Sequence, residues 1–114
     1  MHELGTIYYV IDTVEKLMVD NDLKEVGSIT LEVGEVSGII PEYLQDFWQY
    51  ARAKTEHFQN TELKIEMLSA VTYCQDCGKT YPTVVHKKIC PYCQSGNTFL
   101  ITGNEYNIKE IEAL

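Results

Sequence analysis

The fold of this chain is decided by residues 74–93, which read CQDCGKTYPTVVHKKICPYC. They contain all four cysteines of the chain, as two Cys-x-x-Cys pairs separated by twelve residues. A two-residue spacer lets a tight turn direct both sulfurs of a pair towards one point, and two facing turns form a tetrahedral four-sulfur site. Gly78 and Pro91 suit these turns, because glycine accepts a left-handed backbone and proline stiffens the chain. The spacing predicts a metal site rather than disulfides, with ligands Cys74, Cys77, Cys90 and Cys93.

The expected ion is structural Zn(II). Four thiolates leave no open coordination position, and a segment this short cannot bury a core, so metal binding would supply most of its folding free energy. Iron is the alternative, because the two turns also look like the knuckles of rubredoxin. Gln94 stands where rubredoxin usually has its second glycine, and this difference favours zinc.

Composition limits the remaining possibilities. The 114 residues suffice for one domain, or for one domain with a small insert. The formal charge of −8, from 17 acidic and 9 basic side chains, would repel phosphate backbones, so no nucleic-acid role is expected. The apolar residues 4–11 are too short for a membrane span and lack a basic leader, and reduced, metal-type cysteines predict the cytoplasm.

Hydrophobic periodicity outside the cysteine segment predicts two helices and three strands. Apolar steps of three and four residues predict a helix over residues 4–20. Pro41 suits the first turn of a second helix, which would end near residue 55. Its apolar stripe comprises Tyr43, Leu44, Phe47, Trp48 and Ala51. Alternation predicts strands over residues 28–36 and 62–67 and a last strand from Tyr106, in which Ile111 breaks the alternation.

These elements predict an α+β fold in which two helices pack on a small mixed three-stranded sheet. A zinc-ribbon (rubredoxin-like) β module would be inserted between its strands. Residues 1–70 plus 99–114 would form the α/β domain, whose sheet the C-terminal strand completes. Residues 71–98 would form the ribbon, with a hairpin through residues 80–85.

The first residues, Met1-His2-Glu3, allow a second metal site. The imidazole and backbone nitrogen of His2 and the amine of Met1 can close fused chelate rings in one plane, and Glu3 can add its backbone nitrogen or its carboxylate. Planar nitrogen coordination suits Ni(II) or Cu(II) and is foreign to Zn(II). The more frequent alternative is a solvated His2, with Glu3 favouring the N-terminal end of the first helix.

Other polar candidates have simpler interpretations. His86 is expected on the surface of the hairpin rather than at zinc, and His57 at the C-terminal end of the second helix. Glu32 and Glu35 should point apart, because alternate strand residues share a face. Since no nucleophile has a positioned base and no phosphate loop occurs, enzyme activity is not expected.

Four motifs follow one another along the chain. They are Met1-His2-Glu3-Leu4; residues 31–38, which read LEVGEVSG and are followed by Pro41; the paired cysteines; and Gly103-Asn104-Glu105 leading into Ile108 and Ile111-Glu112. In this order and spacing they resemble the HypA/HybF family of nickel metallochaperones over essentially the whole chain.

The resemblance implies a carrier of Ni(II) to the large-subunit precursor of [NiFe]-hydrogenase, working with the GTPase HypB, and in some bacteria also with urease maturation proteins. It implies nickel at His2, helped by Glu3 and the Met1 amine, and structural zinc at the four cysteines. Some relatives have a histidine just after a cysteine pair. Here Lys79 and Ser95 lie near those points, which argues against exchange of a cysteine for a histidine ligand. The alternative function is a zinc-ribbon interaction adaptor without metal cargo.

Overall fold

The computed structural model describes the backbone of residues 2–114 and the side chains of residues 3–114. The helices are α1 (His2–Asp20), α2 (Pro41–Ala53) and α3 (Thr83–His86), and a 3-10 turn covers Glu56–Phe58. The strands are β1 (Val26–Gly34), β2 (Glu62–Leu68), β3 (Val71–Cys74), β4 (Thr80–Pro82), β5 (Thr98–Thr102) and β6 (Tyr106–Ala113). Among these residues, no helix combines the length and hydropathy needed to cross a bilayer.

The main core lies between the first two helices and one face of a mixed sheet of order β2-β1-β6. Strand β1 runs parallel to β2 and antiparallel to β6. Ile29, Leu31 and Val33 alternate towards the helices and are buried, as their spacing predicted. The opposite face carries polar residues such as Glu32 and Glu66. The predicted α+β fold, with two helices on a mixed three-stranded sheet, is confirmed.

Helix α2 begins at Pro41 as predicted and ends at Ala53, two residues before the expected end. Leu44, Trp48 and Ala51 are buried at helical spacing, whereas Tyr43 is 51% exposed. The apolar stripe is therefore narrower than the sequence suggested. The indole nitrogen of Trp48 donates a 3.1 Å hydrogen bond to the carbonyl of Thr61, which satisfies its polar atom inside the core.

Strand β6 contains a β-bulge that explains its irregular pattern. Ile111 pairs with Ile29 and Ile108 pairs with Leu31, so Lys109 is an extra residue in the strand. Its ammonium instead reaches Glu66 at 3.0 Å. The bulge turns both isoleucines towards the same core although they are three positions apart.

A second sheet, of order β4-β3-β5, forms the ribbon. Its register pairs Cys74 with Thr98 and Val71 with Thr102, so it extends beyond the boundary at residue 98 drawn from the sequence. Residues 80–85 also differ from a plain hairpin, because β4 ends at Pro82 and α3 follows directly. Proline has no N–H with which to continue the ladder. The assignment of one metal to each part stays a prediction.

The two sheets meet at a backbone joint formed by residues 34–36, 68–70 and 103–105. Val36 donates to the carbonyl of Gly103 at 2.7 Å, and Glu35 donates to that of Leu68 at 2.8 Å. The carboxylate of Glu35 accepts the N–H of Ala70 at 2.8 Å. Short, direct contacts of this kind fix the direction in which the chain leaves one sheet and enters the other.

Gly103→Ala tests how tightly this joint is packed. Gly103 has φ +123°, and a Cβ there would lie 2.5 Å from the Cα of Ala70. Backbone strain and this clash together should lower the free energy of unfolding by about 2–4 kcal/mol. Denaturant unfolding of the metal-loaded protein measures the change. The matched control is Gly5→Ala, which meets no atom within 4 Å and should be neutral or stabilise by about 0.5–1 kcal/mol. Equal midpoints for the two variants would contradict the packing argument.

Candidate metal centre

The two cysteine pairs lie on turns with the same hydrogen-bond pattern. The N–H of Cys74 donates to the carbonyl of Lys79, and that of Cys90 to the carbonyl of Ser95, both at 2.9 Å. The return bonds, from Gly78 to Cys74 and from Gln94 to Cys90, are also 2.9 Å. Gly78 and Gln94 occupy equivalent positions, with φ +75° and +60°. A glutamine therefore adopts the left-handed conformation that glycine adopts in the first turn.

The four sulfurs converge on one point. The Sγ atoms of Cys74 and Cys93 are 3.5 Å apart, those of Cys77 and Cys90 are 3.6 Å apart, and all four lie within 4.8 Å of one another. Disulfides, with sulfurs about 2.0 Å apart, are excluded by these distances. A tetrahedral ion with metal–sulfur bonds of about 2.3 Å separates its ligands by about 3.8 Å. The cluster therefore fits a tetrahedral metal site, and no other group of three or more metal-binding side chains occurs among the described residues.

The protonation of these thiols is strongly interdependent. Burial raises the pKa of Cys90, but hydrogen bonds from the backbone N–H groups of Cys93 and Tyr92 and from neighbouring thiols lower it to about 7. A hydrogen bond from the Ser95 backbone lowers the pKa of Cys93, but burial and the neighbouring thiols outweigh it and raise the pKa to about 12. One thiol ionises readily while the next holds its proton, as expected where negative charges crowd together. A bound dication would relieve this repulsion and displace the remaining protons.

A small core supports the cluster. Cys74, Tyr81 and Cys90 are buried together, with Cys77 packed against them. The hydroxyl of Tyr81 donates to the carbonyl of Lys87 at 2.9 Å. His86 packs edge-on against the Tyr81 ring at 5.9 Å between centroids and is not part of the sulfur cluster. His57 lies in the 3-10 turn beyond α2, not at the C-terminal end of that helix.

The structure describes only part of the predicted nickel site. Met1 and the side chain of His2 lie outside the described residues, so their role as ligands stays a prediction. Glu3 is only 8% exposed, and its carboxylate accepts the N–H of Ile40 at 3.1 Å, just before α2 begins. Sequence reasoning missed this partner, because nothing local relates residue 3 to residue 40. A cleft of about 670 Å³ adjoins the first turns of α1, and Gly5, Thr6 and Tyr9 form one of its walls.

Fold and site together define an α+β protein that carries a ribbon with four clustered cysteines. A family model described as "Hydrogenase/urease nickel incorporation, metallochaperone, hypA" matches residues 1–113. The chain therefore belongs to the HypA family of nickel metallochaperones, which act in hydrogenase maturation.

Individual relatives agree with this membership. "Hydrogenase maturation factor HypA" of Chlorobium phaeobacteroides (strain BS1) is 32% identical over 111 residues, covering 97% of each chain. The protein of the same name from Dehalococcoides mccartyi (strain 195) is 28% identical, covering 98% of this chain and 93% of its own.

Solved structures match the fold. The solution structure of the Ni metallochaperone HypA from Helicobacter pylori aligns with a TM-score of 0.73 at 20% identity, over 98% of this chain and 97% of that one. A second structure, described as the solution structure of HypA protein, aligns with a TM-score of 0.76 at 21% identity, over 100% and 97%.

Cys90→Ser and His86→Ala separate the two classes of candidate ligand. Loss of one thiolate should abolish tight binding of one metal per chain, because three sulfurs and a hydroxyl make a poor soft-ligand set. His86→Ala should keep the full metal content, since the imidazole lies outside the sulfur cluster. Elemental analysis after dialysis against a chelator measures both. Metal loss in the histidine variant would contradict the four-sulfur assignment.

Gln94→Gly should stabilise the ribbon, because glycine adopts φ +60° without the strain that a side chain adds. Removing a left-handed non-glycine residue is worth about 1 kcal/mol, so metal affinity should rise about fivefold. Chelator competition measures the affinity. The converse variant, Gly78→Gln, should lower affinity by a similar factor, and no change in either would show that the turns carry no such strain.

Proposed function

We propose that this protein binds Ni(II) at residues 1–3 and delivers it during maturation of [NiFe]-hydrogenase. Its family membership supports the general role. The proposed partners are a HypB-type GTPase and the large-subunit precursor of [NiFe]-hydrogenase, and urease maturation proteins are a second candidate set of recipients. The proposed compartment is the cytoplasm, where thiols stay reduced.

The chemistry of the first residues suits a cargo that must be released again. The imidazole and backbone nitrogen of His2 and the amine of Met1 would occupy a plane around Ni(II), which accepts nitrogen-rich tetragonal coordination. A protonated imidazole cannot bind a metal ion. Nickel loading should therefore weaken as the pH falls through about 6.5, the reference pKa of a histidine side chain.

The anchoring of Glu3 is the observation that carries this site. Its carboxylate is buried and receives the N–H of Ile40, where the positive end of the α2 dipole also favours a negative charge. A carboxylate engaged in this way fixes residue 3 against the start of α2. Its backbone nitrogen is then the donor that Glu3 would offer to nickel.

The proposed structural ion is Zn(II), held by Cys74, Cys77, Cys90 and Cys93. When bound, it supplies the positive charge that lets four thiolates share one point. The two hydrogen-bonded turns and Tyr81 position the sulfurs for it. Carriage of a metal ion requires no chemical step on a bound substrate, and we propose that the protein is not an enzyme.

A zinc-ribbon adaptor without metal cargo is the second candidate. It is favoured by the ribbon's exposed apolar side chains, such as Val85 and Ile89, which are 70% and 53% exposed. Nickel titration separates the two functions, because an adaptor would keep one zinc and bind no nickel at its first residues.

His2→Ala should abolish nickel binding and leave one tightly held zinc, because the only imidazole of the donor set is removed. Isothermal titration with nickel, combined with zinc analysis, measures both. Unchanged nickel binding would overturn the site. Residues added ahead of Met1 should weaken binding or change its absorption spectrum, and identical behaviour would exclude the amine as a ligand.

Two variants of Glu3 separate anchoring from direct ligation. Glu3→Gln keeps a carbonyl that can accept the Ile40 N–H, so nickel affinity should stay within about threefold of the original (below 1 kcal/mol). Glu3→Ala removes the anchor and should weaken nickel binding about tenfold, which corresponds to the net value of a charge-assisted hydrogen bond. An equal loss in both variants would instead identify the carboxylate as the ligand.

A further inference from the structure

The tip of the ribbon, residues 84–89, combines exposed aliphatic and basic side chains. All six of its residues are exposed: Val84, Val85, His86, Lys87, Lys88 and Ile89. Its three aliphatic side chains are 46%, 70% and 53% exposed, in chain order. Exposed apolar side chains flanked by charges are typical of interaction surfaces.

The charge of the ribbon is opposite to that of the remaining chain. Residues 71–102 contain three lysines and one aspartate, a net charge of +2, whereas the remaining residues contain 6 basic and 16 acidic side chains, a net charge of −10. The one carboxylate, that of Asp76, accepts hydrogen bonds from Ser95 and Asn97 beside the metal turns. Two of the three lysines lie at the tip.

The backbone of the tip is strained and yet fixed. Lys87 has φ +59° and ψ −127°, a conformation that costs a non-glycine residue about 1–3 kcal/mol. Its carbonyl accepts the hydroxyl of buried Tyr81 at 2.9 Å, and the carbonyl of Lys88 accepts the hydroxyl of Thr98 at 2.8 Å. Because Tyr81 is buried with Cys74 and Cys90, its hydrogen bond ties the backbone of the tip to the cysteine cluster.

We propose that the tip docks on a folded partner protein that presents an apolar patch bordered by Asp or Glu carboxylates. The aliphatic side chains would enter the patch, and Lys87 and Lys88 would pair with its acidic border. A shape fixed before binding lowers the entropy lost on association. This inference rests on the proposed delivery role, which requires docking on at least one partner.

Other occupants fit the tip less well. An anionic membrane would meet a protein whose other residues carry a net charge of −10 and would repel it. A second copy offers the acidic outer face of its three-stranded sheet. That face alternates Glu62, Lys64 and Glu66 along β2, so it would meet the valines of the tip with charged side chains.

The test variant is Lys87→Glu/Lys88→Glu. The control, Lys16→Glu/Lys24→Glu, makes the same change of charge outside the ribbon. Binding to the purified HypB-type GTPase and to the purified hydrogenase precursor is measured at low and moderate salt, with zinc content as the check on folding. The tip variant should lose at least about tenfold in affinity for one of them and part of the salt dependence. The control should stay within about twofold.

A photo-crosslinking residue at position 85 gives an independent readout. It should react with the partner, whereas the same residue in place of Val19, which is 81% exposed on α1, should not. Equal affinity of both charge variants, with no crosslink from position 85, would overturn the tip proposal and leave the delivery role standing.

Two further outcomes would also overturn the proposal. If the unmodified protein bound neither partner, the delivery role would fail and the docking proposal with it. If the tip variant lost binding to phosphatidylserine vesicles, or lost self-association in sedimentation, while partner binding was unchanged, the tip would serve a membrane or a second copy.

Discussion

The convergence of four sulfurs within 4.8 Å is the constraint on which the ribbon depends. Only Cys74, Tyr81 and Cys90 form its buried cluster, too little apolar area to offset the entropy of ordering such a segment. The thiols alone gain little from this arrangement, because sulfur is a weak hydrogen-bond donor and acceptor. A bound dication would add metal–thiolate bonds that order the segment. The hydroxyl of Tyr81 hydrogen-bonds to the carbonyl of Lys87, so the exposed tip is linked to the cysteine cluster.

The joint between the sheets explains the role of one acidic residue in each of two family motifs, residues 31–38 and residues 103–105. The carboxylate of Glu105 accepts hydrogen bonds from Thr102 and Gly103, each at 2.7 Å, and these bonds lower its pKa. Because the pKa of Glu105 is lower in the folded protein, its hydrogen bonds stabilise the fold fully above the ordinary pKa of a glutamate. This stabilisation is lost as the pH falls through the lower pKa of the folded state. The carboxylate of Glu35 likewise accepts the N–H of Ala70, where the chain passes from β2 to β3. These acidic residues therefore hold the ribbon in a fixed direction and need not be assigned to a metal.

The sequence was sufficient wherever the deciding interaction is local. The alternation of Ile29, Leu31 and Val33, the proline that opens α2 and the cysteine spacing all act within a few residues. The sequence alone was not sufficient for features that depend on a residue far along the chain. The bulge at Lys109 lets Ile108 and Ile111 both face the core. Strand β5 joins the ribbon because its register is set by β3. Its alternating pattern would have suited either sheet.

The contact between the Glu3 carboxylate and the Ile40 N–H makes the position of residue 3 a property of the fold. Residue 3 is tied to the start of α2, and α2 is held on the sheet by Leu44 and Trp48, both fully buried. Under the proposed function, the nickel donors would thus be presented at a defined place although their bonds to the ion must break on delivery. The cysteine cluster would have the opposite requirement, since a structural ion must stay bound. In the proposed scheme, nitrogen donors at residues 1–3 and sulfur donors in the ribbon would meet these two demands, because the two donor sets prefer different metals.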